Sequence, residues 1–501
     1  MTVTRERAFA LVDTLSKELA TNRPRFLLHT DYYLGKQPLK YASPQYRKYF
    51  GDRYKDFSDN WVQVVSDSPT ERLDVTGFQF KGEQDADDDM WRVWMENGLD
   101  EDSQLAFTNA VNTSRSYVLV WGNPDDEETP EVSFLASDQA IVAYRPGSRR
   151  KRIAALNMFE DGEDEIAALY LPDEVWKFRR PKSYQSQSPM VDQLQKEARD
   201  WGLYEPDDGT PNPLPNPMGA VPIVEMPNKP LLGGDAISDV AGTIRMQDAI
   251  NLLWAQLFVT ADFSAFKQRL VLGAEMPKIP ILDDDGQKIG ERPLDLEKFA
   301  VDRMMWIEPN EDGTVPSVDE WSANDLAIFT NVIDQAVGHI AAQTRTPQHY
   351  LIGKMANLSG DALIAAESGL VQKTAQKTTW FGAALREMFR LICLAQGNES
   401  KAKAVSSGRV LWADIPTASP AAKSALIQSL KTAGFSFHFI ASKYGLTPDE
   451  IAEEMERREE ELQMDPMMQM MGGGAAGGDG GNPASAGTQP SNNGGGNPAV
   501  E

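Results

Sequence analysis

Three adjacent carboxylates, Asp283, Asp284 and Asp285, are followed by Gly286 and are the first group to weigh as a metal site. Oxygen donors at that density suit Mg²⁺ or Ca²⁺. The other ligands of a calcium loop are missing, and Asp-Gly between two apolar runs is what a hairpin turn selects, so a turn is the better reading. The 4 histidines, at positions 29, 339, 349 and 438, lack the spacing of a zinc site. Cys393 sits among Phe389, Leu391, Ile392 and Leu394 and reads as a small buried apolar side chain. No G-x-x-x-x-G-K-[ST], H-E-x-x-H or G-x-S-x-G pattern occurs. The glycines near the C-terminus loosely match a nucleotide fingerprint, but no strand precedes them. The sequence therefore names no catalytic residue, metal ligand or cofactor.

Cations are the other chemistry to place. Lys354 lies in a loop near Arg345, His349, Met355 and Asn357; taken alone it reads as a solvated lysine in a turn. Arg149, Arg150, Lys151 and Arg152, with Arg179, Arg180 and Lys182, could bind nucleic acid. In a chain of net charge −25, pairing with nearby acids or a neighbouring subunit is favoured. That charge opposes tight nucleic-acid binding and fits a surface past which DNA slides without being gripped, although plain solubility explains it as well.

The positioning elements follow from periodicity. Residues 1 to about 60 read as helical, with Pro24 as a break. From about 70 to 225, helices at Asp85–Asn97 and Gln104–Thr113 alternate with strand-like runs at Tyr117–Trp121, Val132–Leu135 and Ile141–Tyr144. A surface loop, Glu205–Pro222, precedes Ile223–Met226, and a helix covers about Ser238–Phe266. Strand-like Lys278–Leu282 and Met304–Ile307 each precede an Asp-Gly turn. A helix starting at Ser322, with Asp325 at its third position, presents Leu326, Phe329, Ile333, Val337 and Ile340 on one face. Pro347 and Leu351–Lys354 break it, and a helix of about 35 residues, long against the average, starts at Ser359. Further on come a polar stretch, Asn398–Ser407, a strand, Arg409–Trp412, and a helical hairpin, Ala425–Leu462. Ala421–Ala433 is helical, and Thr447-Pro448-Asp449-Glu450 is a capping box that opens the last helix. Residues 472–501 hold 11 Gly and 3 Pro, a composition expected to be disordered. The chain exceeds what one core serves and should form several domains. It has no run of about 18 apolar residues for a membrane span, and its first twenty residues read as an amphipathic helix, so secretion is not expected.

Three ordered sub-patterns, Thr346-Pro347-Gln348-His349-Tyr350-Leu351, Asn357-Leu358-Ser359-Gly360-Asp361-Ala362, and Ala366-Glu367 followed by Lys373 and Trp380-Phe381-Gly382, resemble the portal proteins of tailed bacteriophages, particularly long-tailed phages of Gram-positive hosts. Asp31-Tyr32-Tyr33-Leu34-Gly35-Lys36-Gln37-Pro38-Leu39 and Gln247-Asp248-Ala249-Ile250-Asn251 extend the likeness over nearly the whole chain. The resemblance implies an α+β, predominantly helical portal fold. Its parts would be a wing (1–237), a stem helix (238–268), a clip (269–321), a second stem helix (322–345), a tunnel loop (346–359), a long connecting helix (360–397), a crown (398–463) and a disordered tail (464–501).

It also implies a non-enzymatic dodecameric ring at one vertex of a virion, assembled in the host cytoplasm. That ring would pass double-stranded DNA and dock the terminase large subunit, a head-completion adaptor, the major capsid protein and scaffolding protein. Lys354, Met355, Asn357, His349 and Arg345 would line the channel loop, and Asp283, Asp284, Asp285, Lys288 and Arg292 would meet partners at the clip. The alternatives are another virion adaptor, or a metal-dependent nuclease built on the three aspartates.

Overall fold

The structure is a computed structural model and describes residues 3–37, 58–83, 85–182, 201–205, 209–265, 269–272, 278–282, 287–293, 304–307, 325–352, 360–413, 420–444, 446 and 448–464. The chain divides into two units, Met1–Pro448 and Asp449–Glu501. In chain order the first holds α1 (Arg5–Tyr33), α2 (Trp61–Thr70), β1 (Val75–Gln79), α3 (Asp88–Glu96), α4 (Leu99–Thr113), β2 (Arg115–Trp121), β3 (Glu131–Leu135), β4 (Ala140–Tyr144), β5 (Arg152–Asp161), β6 (Asp164–Tyr170), β7 (Glu174–Pro181), β8 (Gly202–Leu203), β9 (Leu214–Pro215) and β10 (Ile223–Pro227). There follow α5 (Ile244–Ala265), β11 (Arg269–Leu272), β12 (Lys278–Leu282), β13 (Lys288–Pro293), β14 (Met304–Ile307), α6 (Ala327–Thr344), α7 (Gln348–Ile352), α8 (Gly360–Ala395), α9 (Glu399–Val405), β15 (Arg409–Trp412), α10 (Pro420–Thr432) and α11 (Phe437–Tyr444). Helix α12 (Pro448–Met464) makes up the described part of the second unit, and its Arg457 pairs with Glu453 at 2.7 Å.

The largest sheet runs β4-β5-β6-β7-β8, with β9 also on β7. Helix α1 lays Ala8, Val12, Leu15 and Leu19 against Ile141, Leu156, Leu169, Trp176 and Phe178 of this sheet. This heptad-like stripe, not local propensity, holds so long a helix in place. Pro24 does not break it. The carbonyl that loses its partner belongs to Ala20, which is exposed and open to water.

A second core forms where α3, α4 and the β10-β2-β3 sheet meet α8. Phe107 stacks on Phe381 at 5.3 Å, and Phe389 lies between Phe78 at 4.7 Å and Trp94 at 6.1 Å. Strand β15 returns from the far end of the chain to pair antiparallel with β1, which brings Trp412 to 5.7 Å from Phe107. Cys393 is fully buried in this core, and burial pushes its thiol up to about 11, as a structural cysteine requires. A third core joins α2, α5, α6 and α7 through Val65, Ile250, Ile333, Val337, Ile340 and Leu351.

Several boundaries differ from the sequence reading. Helix α5 begins at Ile244 and not at Ser238, because the Ser238 hydroxyl accepts from the N–H groups of Val240 and Ala241 and closes a turn first. Helix α6 begins at Ala327, whose N–H donates to Asp325 Oδ1 at 2.9 Å; the proposed cap, Ser322, lies outside the described residues. Helix α5 is described to Ala265, and Arg269–Leu272 pairs in parallel with Met304–Ile307. The polar stretch after Gly397 contains α9, capped by Asn398, which accepts from Lys401 N–H. The C-terminal hairpin is three helices, since Phe437–Tyr444 adds one. No described helix is long and apolar enough to cross a membrane.

A buried ionic cluster ties these layers together. Asp239 lies 2.8 Å from Lys377 Nζ and 2.9 Å from Lys373 Nζ, both on α8. Lys377 also donates to Asn228 Oδ1 at 2.6 Å, and Asn228 Nδ2 donates to Asp239 Oδ1 at 3.0 Å. Burial alone would raise the carboxyl, but the two ammoniums hold it well below the usual carboxylate range. Burial brings Lys377 down to about 8, because one carboxylate is shared by two cations. Asp239→Asn strands both ammoniums and is expected to cost ~3–5 kcal/mol, seen as a fall in the thermal midpoint; an unchanged midpoint would contradict the cluster's role. From about 8 to 10.5 the unfolded chain keeps a proton on Lys377 that the folded chain has released, so this group makes stability rise with pH across that window. Lys377→Met should remove that rise.

Candidate functional site

The residues that carried the sequence pattern turn out to be joints between elements. Tyr32 donates to Asp248 Oδ1 at 2.5 Å, Tyr33 donates to Asp67 at 2.9 Å, and Gln37 Nε2 donates to Ser58 at 2.8 Å. Gly35 between them adopts φ +69°, a left-handed turn that a side chain would strain. On α5, Gln247 accepts from Trp61 N–H at 2.9 Å and donates to the Asp59 carbonyl, while Asn251 accepts from Asp59 N–H at 3.1 Å. Asp59 in turn accepts from the indoles of Trp61 and Trp254 at 3.1 and 2.7 Å, and burial still leaves its carboxyl raised. Gln247, Asp248 and Asn251 are all buried, so this motif clamps the base of α5 to the N-terminal helices.

The turn between α6 and α8 is built with similar care. Arg345 caps α6 in the left-handed region at φ +55°, with its N–H on Ala341 O. Thr344 Oγ1 donates to Ile340 O at 2.7 Å and lies 2.9 Å from Thr346 Oγ1, and Thr346 N–H reaches Ala341 O at 3.0 Å. This network over-determines a conformation that a non-glycine residue resists. Helix α7 then plugs Leu351 into the third core.

Tyr350 donates to Glu367 Oε1 at 3.0 Å, Arg72 donates to Tyr350 Oη at 2.7 Å, and Arg72 pairs with Glu367 Oε2 at 3.3 Å. Burial, opposed by the Arg72 hydrogen bond and aided by the one to Glu367, raises the Tyr350 phenol. His349 packs edge-on against Tyr350 and lies 3.8 Å from Glu367. The clamp thus ties α7 to α8; segment 353–359 between them lies outside the described residues.

Of the expected channel set, Lys354, Met355 and Asn357 fall in that segment. Arg345 is exposed, and His349 is turned inward onto Glu367. Of the expected clip set, Asp283, Asp284 and Asp285 lie outside the described residues. Lys288 and Arg292 are exposed on β13, Lys288 is paired with Glu291, and β12 and β13 form the antiparallel hairpin that the Asp-Gly turn required. Among the described residues no group of three or more His, Cys, Asp or Glu could hold a metal ion. Arg72 was missed because its partners lie more than 270 positions away. Its only signal was Tyr350 and Glu367 recurring in the quoted patterns.

The family described as "Phage portal protein, SPP1 Gp6-like" matches residues 13–466. The portal protein of Mycobacterium phage D29 is 28% identical over 375 residues, covering 72% of this chain and 70% of that protein; the portal protein of Mycobacterium phage L5 is 26% identical over the same lengths. A solved chain titled "Neck of native GTA particle computed with C12 symmetry" aligns at 14% identity over 77% of this chain and 88% of that one, with a TM-score of 0.37, too low to establish a shared fold. The family match over most of the chain makes this protein a structural component of a virion. The chain belongs to the SPP1 Gp6-like phage portal protein family.

Glu367→Ala removes the anion facing Arg72 and is expected to lower stability by ~1.5–3 kcal/mol, and Tyr350→Phe by ~0.5–1.5 kcal/mol. Calorimetry of the two variants and of the double mutant checks this. If the two losses add fully, the residues do not act as one clamp.

Proposed function

We propose that copies of this chain close into a ring, twelve in number as the family resemblance implies, around a channel through which double-stranded DNA is packaged and later ejected. The observation that carries this reading is the order α5, insert, α6, tight turn, segment 353–359, α8. Two helices packed through Ile250, Ile333, Val337 and Ile340 flank an insert and are followed at once by a clamped loop and a helix of 36 residues. In this reading 1–237 is the wing, α5 and α6 the stem, 269–321 the clip, 346–359 the tunnel loop, 360–397 the connecting helix, 398–463 the crown and 464–501 the tail. Assembly takes place in the host cytoplasm and the ring resides at the neck of the virion. The major capsid protein and scaffolding protein meet its outer parts.

Lys354, with Arg345, Met355 and Asn357, is assigned to transient phosphate contact. A lysine offers a screened point charge that breaks easily, which suits a sliding duplex better than a bidentate arginine. The inward-facing His349 is assigned to holding the turn. Acids Asp283, Asp284 and Asp285, with Lys288 and Arg292, would dock first the terminase large subunit and then the head-completion adaptor.

Lys354→Ala is expected to leave rings and procapsids normal and to alter the rate of packaging or the retention of the genome; a full genome packaged and retained at the parental rate would reduce Lys354 to a solvated turn residue. Reversing Asp283, Asp284 and Asp285 to Lys should abolish capture of the terminase subunit by intact rings. Unchanged capture would move the docking surface elsewhere.

A further inference from the structure

Two hairpin tips of the wing carry opposite charge. The β2–β3 tip presents Asp125, Asp126, Glu127 and Glu128, all exposed, and the β4–β5 tip presents Arg145, Arg149, Arg150 and Lys151, also all exposed. Among the described residues neither Asp125, Glu127 and Glu128 nor Arg149, Arg150 and Lys151 form an ion pair.

Both tips are held stiff by their own backbone. Asp125 N–H donates to Asn123 Oδ1 at 2.9 Å and Glu128 N–H to Asp126 Oδ1 at 3.0 Å. On the other tip Lys151 N–H donates to Ser148 Oγ at 3.1 Å and Arg145 N–H to Lys151 O at 2.8 Å. Such side-chain turns keep like charges together that would otherwise spread apart.

Each tip is tied to α8, at a different place. The acidic tip is anchored where Gln396 Nε2 donates to Glu128 O at 2.8 Å, just past the end of that helix. The basic tip is anchored where Arg152, the residue following Lys151, donates to Glu387 Oε1 at 2.6 Å. With a rise of roughly 1.5 Å per residue, the interval from Glu387 to Gln396 sets the two anchors more than about 10 Å apart along the helix axis. The two tips are therefore separate features of the protomer.

A ring closed head to tail needs two different complementary faces on each subunit. We propose that the basic tip of one copy pairs with the acidic tip of the next, a heterologous contact that steers and registers closure of the ring. This rests on the ring reading above. Among the described residues Asp125, Glu127, Glu128, Arg149, Arg150 and Lys151 form no ion pair, and each tip has its complement on a second copy. Between strongly acidic subunits, such a contact supplies the attraction that net charge opposes.

The test uses two full-length variants: Asp125→Lys with Glu127→Lys and Glu128→Lys, and Arg149→Glu with Arg150→Glu and Lys151→Glu. Asp126 is kept because its carboxylate holds the turn. Circular dichroism and the thermal midpoint confirm that each protomer folds, and native mass spectrometry and sedimentation at ~0.1 M salt, where the screening length is about 10 Å, read the assembly. Each variant alone should lose the ring species, since both of its tips then carry one sign. Mixed one to one, the two should recover rings in which they alternate, with equal numbers of each. A variant that forms rings alone as the parent does overturns the pairing and leaves the ring reading standing. So does a mixture that fails where the parent succeeds. A parent that forms no ring under any salt condition overturns both.

Discussion

The cluster of Asp239, Lys373, Lys377 and Asn228 is the constraint on which the rest of the protomer depends. Asp239 N–H donates to Val111 O at the end of α4, and Asn228 N–H donates to Ser114 O just ahead of β2. The two lysines belong to α8, and α5 begins shortly after Asp239. The β10-β2-β3 sheet, the packed helices and the long helix thus converge on a few buried polar atoms. An ionic group in such a place adds little net stability compared with well-packed apolar residues, but it tolerates only one arrangement of its partners. In the proposed ring, a subunit that must repeat the same angle at every contact gains from that kind of specificity.

The same principle explains why the recognisable motifs proved to be joints. Gln247, Asp248 and Asn251 fix α5; Tyr350 and Glu367 fix the turn; Phe381 stacks on Phe107; and a Cβ on Gly382 would come within 3.5 Å of Trp412 Nε1. None of these residues performs a reaction. They hold long levers at set angles, which is the work of a portal protein.

Helix α8, the strands at 117–121 and 132–135, and the β12–β13 hairpin were legible because their periodicity and turn chemistry point one way. Most of the six-stranded sheet was not. Strand β6 buries Ile166, Ala167, Ala168 and Leu169 in succession, a run whose alanines carry weak strand preference and no alternation. Strand β7 does alternate, with Trp176 and Phe178 buried and Lys177 and Arg179 exposed, a signal hidden among the charges. The joints themselves were legible only as patterns. The Arg72–Glu367 pair spans the whole length between the second helix and the eighth, and nothing local announces it. Of the basic spots, Arg152, Arg180 and Lys182 do pair with acids, namely Glu387, Glu165 and Glu160, whereas Arg149, Arg150 and Lys151 form no ion pair among the described residues, a difference that only tertiary placement decides.

Because every feature reads as geometry serving assembly, the decisive observation is the shape of the assembled protein. Negative-stain electron microscopy of the purified full-length chain should show closed rings of uniform diameter with a central stain-filled channel. Monodisperse single protomers, or open filaments without closure, at every salt concentration tested would contradict the account.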